Sequence, residues 1–219
     1  MLYIVATPIG DISEITLRAL EIIKSAEVII CESTKETSKL LKKYDIKALS
    51  YEVLDEHSTL SDLIHLVDLC KTKIVALVSD CGTPGFCDPG NNLIAQCRKN
   101  NIQIKSVLGA SSLMGVLSLS SQKINQFHFR GFLPAESEKR AQEWQLLKSN
   151  KLALIIMDTP YRLRKTMSEI VQHLNNREIL LVMNLSQEDE DVLEGRPSAV
   201  LQNIKLEKAE FMILVYPAS

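Results

Sequence analysis

At 219 residues, 46% hydrophobic and 24% charged, the chain has the make-up of a globular protein with room for one large domain or two small ones. A formal net charge of −2 excludes a global pull toward nucleic acid or anionic membrane, so such a partner needs a local patch. No apolar stretch is long enough to cross a bilayer, and no basic region precedes the first apolar run. The five cysteines, an odd number without a C-x-x-C, fit reduced thiols in a cytoplasmic protein with no metal site.

Leu2 to Ala6 reads as a short strand ended by Thr7, Pro8, Ile9 and Gly10. Asp11 and Glu14 have the spacing of a capping box for a helix carrying Leu17, Leu20 and Ile23 on one face. Val28 to Cys31 is a buried strand. The polar segment 32–39 after it is either a solvated helix start or a substrate-facing edge, and composition favours the helix. Leu60, Leu63, Ile64 and Val67 follow the i, i+3, i+4, i+7 pattern of an amphipathic helix. Ile102 to Val107 alternates apolar with polar and opens into a third small-residue loop, 108–112, before a helix over 113–119. Strands alternating with helices predict a parallel sheet, with the loops gathered outside the carboxyl ends of its strands.

Residues 120–125 are the linker expected between domains 1–119 and 126–219. Beyond it, Phe127 and Phe129 alternate with His128 and Arg130, and His128 is an exposed-face residue. A helix opens at Pro134 and runs through Trp144 and Leu147. Leu152 to Met157 is an apolar strand broken at Asp158, Thr159 and Pro160. Leu163, Met167, Ile170, Val171 and Leu174 share one helical face, and strands over 179–183 and 211–216 complete a second sheet. The acidic run 187–191 reads as a solvated loop.

The most informative stretch is Ser79 to Gly90, which follows the apolar run Ile74 to Val78 and holds Gly82, Gly85, Gly90, Pro84 and Pro89. A buried strand opening into such a loop delivers a carboxylate, Asp80, and bare backbone to one place. Asp88 is placed as helix N-cap with Pro89 at the first helical position. With neither a G-x-G-x-x-G nor a Gly-Lys-Ser/Thr, the loop is not built for a nucleoside triphosphate.

These loops, with Ile15 to Leu20, Cys31-Glu32, Gly131 to Pro134, Thr159 to Leu163 and Ala209 to Phe211, resemble the tetrapyrrole methylase family of class III S-adenosylmethionine-dependent methyltransferases. The likeness is strongest to its ribosomal RNA small subunit methyltransferase I branch, which methylates a cytidine ribose 2′-hydroxyl. It implies two α/β domains with a cofactor cleft between them, S-adenosylmethionine as methyl donor, a homodimer, and ribosomal RNA or the small ribosomal subunit as partner. By family position Pro8, Asp80, Gly82, Thr83, Pro84, Phe86, Cys87 and Ser111 line the cofactor from the first domain. Leu133, Met157 and Asp158 do so from the second. Glu32 is the candidate base for a hydroxyl acceptor and Asp158 the second candidate, though either carboxylate could instead serve as a cap or as a cofactor ligand.

The chain departs from the branch on the side expected to face the acceptor. Ser33, Thr34 and Lys35 stand where the pattern has Asp-Thr-Arg, residues 108–111 read Leu-Gly-Ala-Ser in place of Pro-Gly-Pro-Ser, and Met183 to Gln187 replace Arg-Glu-Leu-Thr-Lys. The branch's small C-terminal extension is not in this chain. The alternatives are therefore a different acceptor (a tetrapyrrole, another RNA or a protein) or a module that binds S-adenosylmethionine without turnover.

Overall fold

The computed structural model describes residues 1–86, 88 and 90–218, in two compact units, Met1–Ser111 and Ser112–Ser219. In the first unit β1 (Leu2–Val5), β2 (Val28–Cys31), β3 (Tyr51–Val53), β4 (Val75–Val78) and β5 (Ile104–Val107) form a parallel sheet in the order β3-β2-β4-β1-β5. The strands are short, and the inner ones are apolar at almost every position because helices cover both faces. Leu2, Ile4, Val28, Ile30, Val75 and Leu77 face α3 (Leu60–Thr72) and α4 (Gly90–Lys99) through Leu66, Val67, Cys70, Leu93 and Cys97. The alternate residues Val5, Ile29, Cys31, Ala76 and Val78 meet α1 (Leu17–Ser25) and α2 (Thr34–Lys43) through Ala19, Ile23 and Leu41.

The second unit is a mixed sheet of β6 (Phe127–Phe132), β7 (Ala153–Asp158), β8 (Ile179–Met183), β9 (Asp191–Gly195) and β10 (Phe211–Val215), ordered β6-β7-β10-β8-β9. Only β6 and β7 run parallel; the other pairs are antiparallel. One face holds α6 (Ser137–Ser149), α7 (Leu163–Leu174) and α8 (Pro197–Asn203) around Trp144, Met167, Ile170 and Val200. The other is covered by α5 (Ser112–Ser118) through Val116. Among the described residues no helix is long and apolar enough to cross a membrane.

Several local expectations are revised. Asp11 caps only the 3-10 turn Ile12–Glu14, and Glu14 reaches back to the N–H groups of Ile9 and Gly10. The following helix starts at Thr16, whose hydroxyl accepts from Ala19, and Leu17 is left 80% exposed. In α3 the capping box is Thr59 with Asp62; of the expected stripe Val67 is buried and Leu63 packs against the core, while Leu60 and Ile64 are exposed and Leu66 and Cys70 complete the buried face. The acidic run leads into a strand, β9, paired with β8. The division between units falls after Ser111, ahead of the 120–125 segment. Val116 of α5 belongs to the core of the second unit, and Ser121 and Gln122 are hydrogen-bonded to Tyr216 and Glu178 there.

Candidate functional site

Because β4, β1 and β5 are neighbours and parallel, the loops that follow them lie side by side at one edge of the first sheet. Backbone bonds join them. The Thr7 N–H donates to Gly82 O at 2.8 Å and the Gly82 N–H to Pro8 O at 3.3 Å, while the Thr7 hydroxyl donates to Ser79 O at 3.0 Å. The Thr83 hydroxyl donates to Ala110 O at 3.1 Å, which ties in the segment ending at Ser111. Gly82 has φ +78°, a left-handed conformation that side chains disfavour. A Cβ there would make only ordinary contacts, 3.7 Å from Ile9 Cγ1 and 3.9 Å from Ala110 O, so backbone conformation is what demands glycine.

Pro8, Asp80, Gly82, Thr83, Pro84, Phe86 and Ser111 thus share one loop cluster, with Pro84 buried and Phe86 exposed. Cys87 and Pro89 lie outside the described residues. Asp88 does behave as a cap: its Oδ1 accepts from the N–H of Gly90, at 3.1 Å, and also from Gly85, at 2.7 Å. One carboxylate therefore closes the loop on itself and starts α4.

Glu32 follows β2, the neighbour of β4, and lies beside Asp80. The Ser33 N–H donates to Asp80 Oδ1 at 3.2 Å, which ties the segment after β2 to the loop after β4. Ser33 also caps α2 by accepting from the Glu36 N–H. Desolvation, with the negative charges of Asp88 and Asp80 beside it, pushes the Glu32 carboxyl above the ordinary carboxylate range. Asp80 is raised as well, chiefly by desolvation and against the pull of the Ser33 N–H. Among the described residues no lysine or arginine forms an ion pair with Glu32, Asp80 or Asp88. The loop cluster is an uncompensated acidic site that favours protonation or a cationic ligand.

In the second unit Leu133, Met157 and Asp158 converge through the parallel pairing of β6 with β7, and the Leu133 N–H donates to Met157 O at 3.3 Å. Leu133 is buried in the core, so it offers main chain rather than side chain. Asp158 is buried and fully engaged. Its Oδ2 lies 2.8 Å from Arg140 and accepts from the Thr166 hydroxyl at 2.9 Å. Its Oδ1 accepts from the Thr159 N–H at 2.8 Å and lies 3.3 Å from Arg162. Acting as a base would require shedding two guanidinium partners, which favours a role in holding the turn. Glu32, half-buried and raised, suits proton transfer better.

Sequence reasoning missed Arg140. Only 2% exposed, it pairs with Asp158 and Glu169 and donates to Pro134 O at 3.2 Å and Thr166 Oγ1 at 2.8 Å. A signal for it was available: Arg140 stands four and seven residues before Trp144 and Leu147, on the stripe of α6 that faces the core.

A model of the family Tetrapyrrole (Corrin/Porphyrin) Methylases matches residues 1–200. The ribosomal RNA small subunit methyltransferase I of Leptospira biflexa is 33% identical over 216 residues, 98% of this chain and 90% of its own. The protein of that name from Rickettsia prowazekii is 35% identical over 217 residues, 98% of this chain and 77% of its own. Among solved structures, diphthine synthase superposes with a TM-score of 0.77 at 13% identity, over 99% of this chain and 90% of its own. The cobalt precorrin-4 methyltransferase does so at 0.68 and 16%, over 98% and 94%. At such identities these two structures speak for the fold alone.

The residues present fit S-adenosylmethionine, whose sulfonium and ammonium are cationic. Glu32, Asp80 and Asp88 place carboxylates, which no side-chain cation among the described residues pairs with, next to bare backbone at Gly82.

Proposed function

The chain belongs to the tetrapyrrole (corrin/porphyrin) methylase family and is an S-adenosylmethionine-dependent methyltransferase, and on that premise we propose that it methylates ribosomal RNA, at the ribose 2′-hydroxyl of a small-subunit cytidine. The relatives' names support RNA as the acceptor. The observation that carries the hydroxyl chemistry is Glu32, a half-buried carboxyl that burial and the neighbouring Asp88 and Asp80 raise above the ordinary carboxylate range, on a loop tied to Asp80 by the Ser33 N–H.

S-adenosylmethionine supplies the methyl group as a sulfonium whose charge disappears in an in-line displacement. The chain's own residues position the partners and handle the proton. Pro8, Asp80, Gly82, Thr83, Pro84, Phe86, Cys87 and Ser111 bind from the first unit, with Leu133, Met157 and Asp158 assigned to the same role from the second. Glu32 takes the hydroxyl proton as the oxygen–carbon bond forms, and its raised pKa makes it a better proton acceptor than an ordinary glutamate.

We assign the protein to the cytoplasm as a homodimer acting on the small ribosomal subunit; the buried thiols of Cys31, Cys70 and Cys97 are consistent with a reducing compartment. The test is transfer of labelled methyl to fractionated cell extract and to undermethylated small subunits, with calorimetry of donor binding. Labelling of small-subunit RNA supports the assignment. Labelling confined to another fraction, or no donor heat at millimolar concentration, refutes it.

A further inference from the structure

We propose that Tyr161 is a stacking platform for an unpaired RNA base, with Lys208 and the cations around it holding the adjoining phosphates; this rests on the RNA reading above. Tyr161 is 80% exposed, and it sits on the 3-10 turn Pro160–Arg162 directly after β7. A tyrosine on a floppy loop would carry little meaning, but this turn is fixed on both sides of the ring. The Thr159 N–H and the Arg162 guanidinium both bond to Asp158 Oδ1, and the Arg162 N–H donates to Thr159 O at 2.9 Å. Asp158 is itself clamped by Arg140 and Thr166. The turn that presents the ring is therefore fixed before anything binds, and little backbone ordering is needed when a base arrives.

Its surroundings match the same ligand. Lys208 Nζ lies 5.4 Å from the ring centroid. It comes from the segment leading into β10, which is adjacent because Phe211 pairs with Asp158. Lys165 is exposed one helical turn beyond Tyr161, and Lys205 is exposed on the segment that carries Lys208. An aromatic face interleaved with lysines is how proteins hold single-stranded nucleic acid: the ring stacks on a base of any identity while the cations contact the backbone. A duplex would not offer a free base face, so the ligand is an unpaired segment. The patch also lies at the strand end that carries Met157 and Asp158, which the proposed function assigns to the methyl donor.

The test compares wild type, Tyr161→Ala, Tyr161→Phe and Lys208→Gln. Readouts are kcat and KM for undermethylated small subunits and for their naked RNA over a salt series, calorimetric affinity for S-adenosylhomocysteine, and sedimentation mass. Tyr161→Ala is expected to raise the RNA KM by about 5- to 100-fold, from the usual worth of one stacked base. Donor-product affinity and mass should not change. Tyr161→Phe keeps the ring and should stay within about twofold of wild type. Lys208→Gln should make the salt slope shallower by about 0.7, one phosphate contact on a single strand. An unchanged RNA KM in Tyr161→Ala overturns the platform while leaving the RNA reading intact, as does an effect through altered mass or donor affinity. No labelling of either RNA by wild type overturns the RNA reading itself, and the platform with it.

Discussion

Arg140 Nη1 lies 2.8 Å from Asp158 Oδ2 in the interior of the second unit, and both side chains are almost wholly removed from solvent. The same guanidinium reaches Glu169 and the Pro134 carbonyl, so one residue of α6 fixes the end of β7, the start of α7 and the loop after β6. These are the segments that carry Leu133, Met157 and Asp158.

Removing that guanidinium takes the ion-pair partner from Glu169 and leaves the fully buried Asp158 with Arg162 as its remaining cation. Arg140→Ala is expected to destabilise the protein by about 3–5 kcal/mol, the usual cost of breaking a buried ion pair from one side. Urea denaturation followed by circular dichroism measures it. Adding Asp158→Asn and Glu169→Gln should recover part of the loss, since uncompensated charge is the main penalty. A loss below about 1 kcal/mol would show that water or rearrangement replaces the arginine.

Gly82 is required by backbone conformation. Gly82→Ala forces a Cβ onto φ +78°, a strain of about 1–2 kcal/mol, and is expected to weaken donor binding by distorting the junction with Thr7 and Pro8. Gly82→Val should abolish binding while the protein still folds, because the loop lies at the sheet edge. Calorimetry with S-adenosylhomocysteine, alongside thermal melting, separates the two effects. Wild-type affinity in Gly82→Val would make the loop purely structural.

Glu32 gives a pH signature. Its folded-state pKa is raised, so the folded protein binds more protons than the unfolded chain between the ordinary glutamate value of about 4.3 and the raised one. Ionisation of Glu32 therefore costs stability as pH rises through that window, and above it the cost is complete. Glu32→Gln should be more stable relative to wild type at neutral pH than at pH 4, by urea titration at each pH. Transfer should fall off on the acid side at a higher pH than an ordinary carboxylate gives, and Glu32→Gln should lose kcat by about 100-fold or more. Unchanged kcat would remove Glu32 as the base.

Beside Lys165, Lys205 and Lys208 around Tyr161, the other cations proposed to meet RNA are few and partly spent. Lys39 pairs with Glu36 at 2.8 Å, Arg162 with Asp158 at 3.3 Å and Arg164 with Glu207 at 3.1 Å, while Arg18 and Lys35 form no ion pair among the described residues. With a chain of net charge −2, RNA affinity should depend only mildly on salt. The expected log–log slope is about −1.5 to −3, or two to four phosphate contacts. Assembled small subunits, which fix the acceptor's shape, should be labelled faster than naked RNA. A steep slope with faster labelling of naked RNA would contradict this.

The order of strands and helices in each unit was largely legible from residue types, because four- to six-residue apolar runs between polar segments have few other folds open to them. The three loops at strand ends were legible for the same reason, since parallel strands must all end on one edge. The two carboxylates were visible as well, but their difference was not. Whether Glu32 is raised and Asp158 clamped depends on Asp80, Asp88, Arg140 and Thr166, which come from other elements and are brought in by packing alone. The face of α3 was legible only in part: Val67 and Leu63 face the core as the spacing indicates, but the position of the sheet selects Leu66 and Cys70 over Leu60 and Ile64. The short segments β3 and β9 carry too little apolar patterning to be seen locally and exist because a neighbouring strand offers them hydrogen bonds. Tyr161 could be read as any turn tyrosine. Its exposure on a turn held by Asp158, with Lys208 against the ring, is decided by the tertiary structure, because 47 residues of chain separate the two.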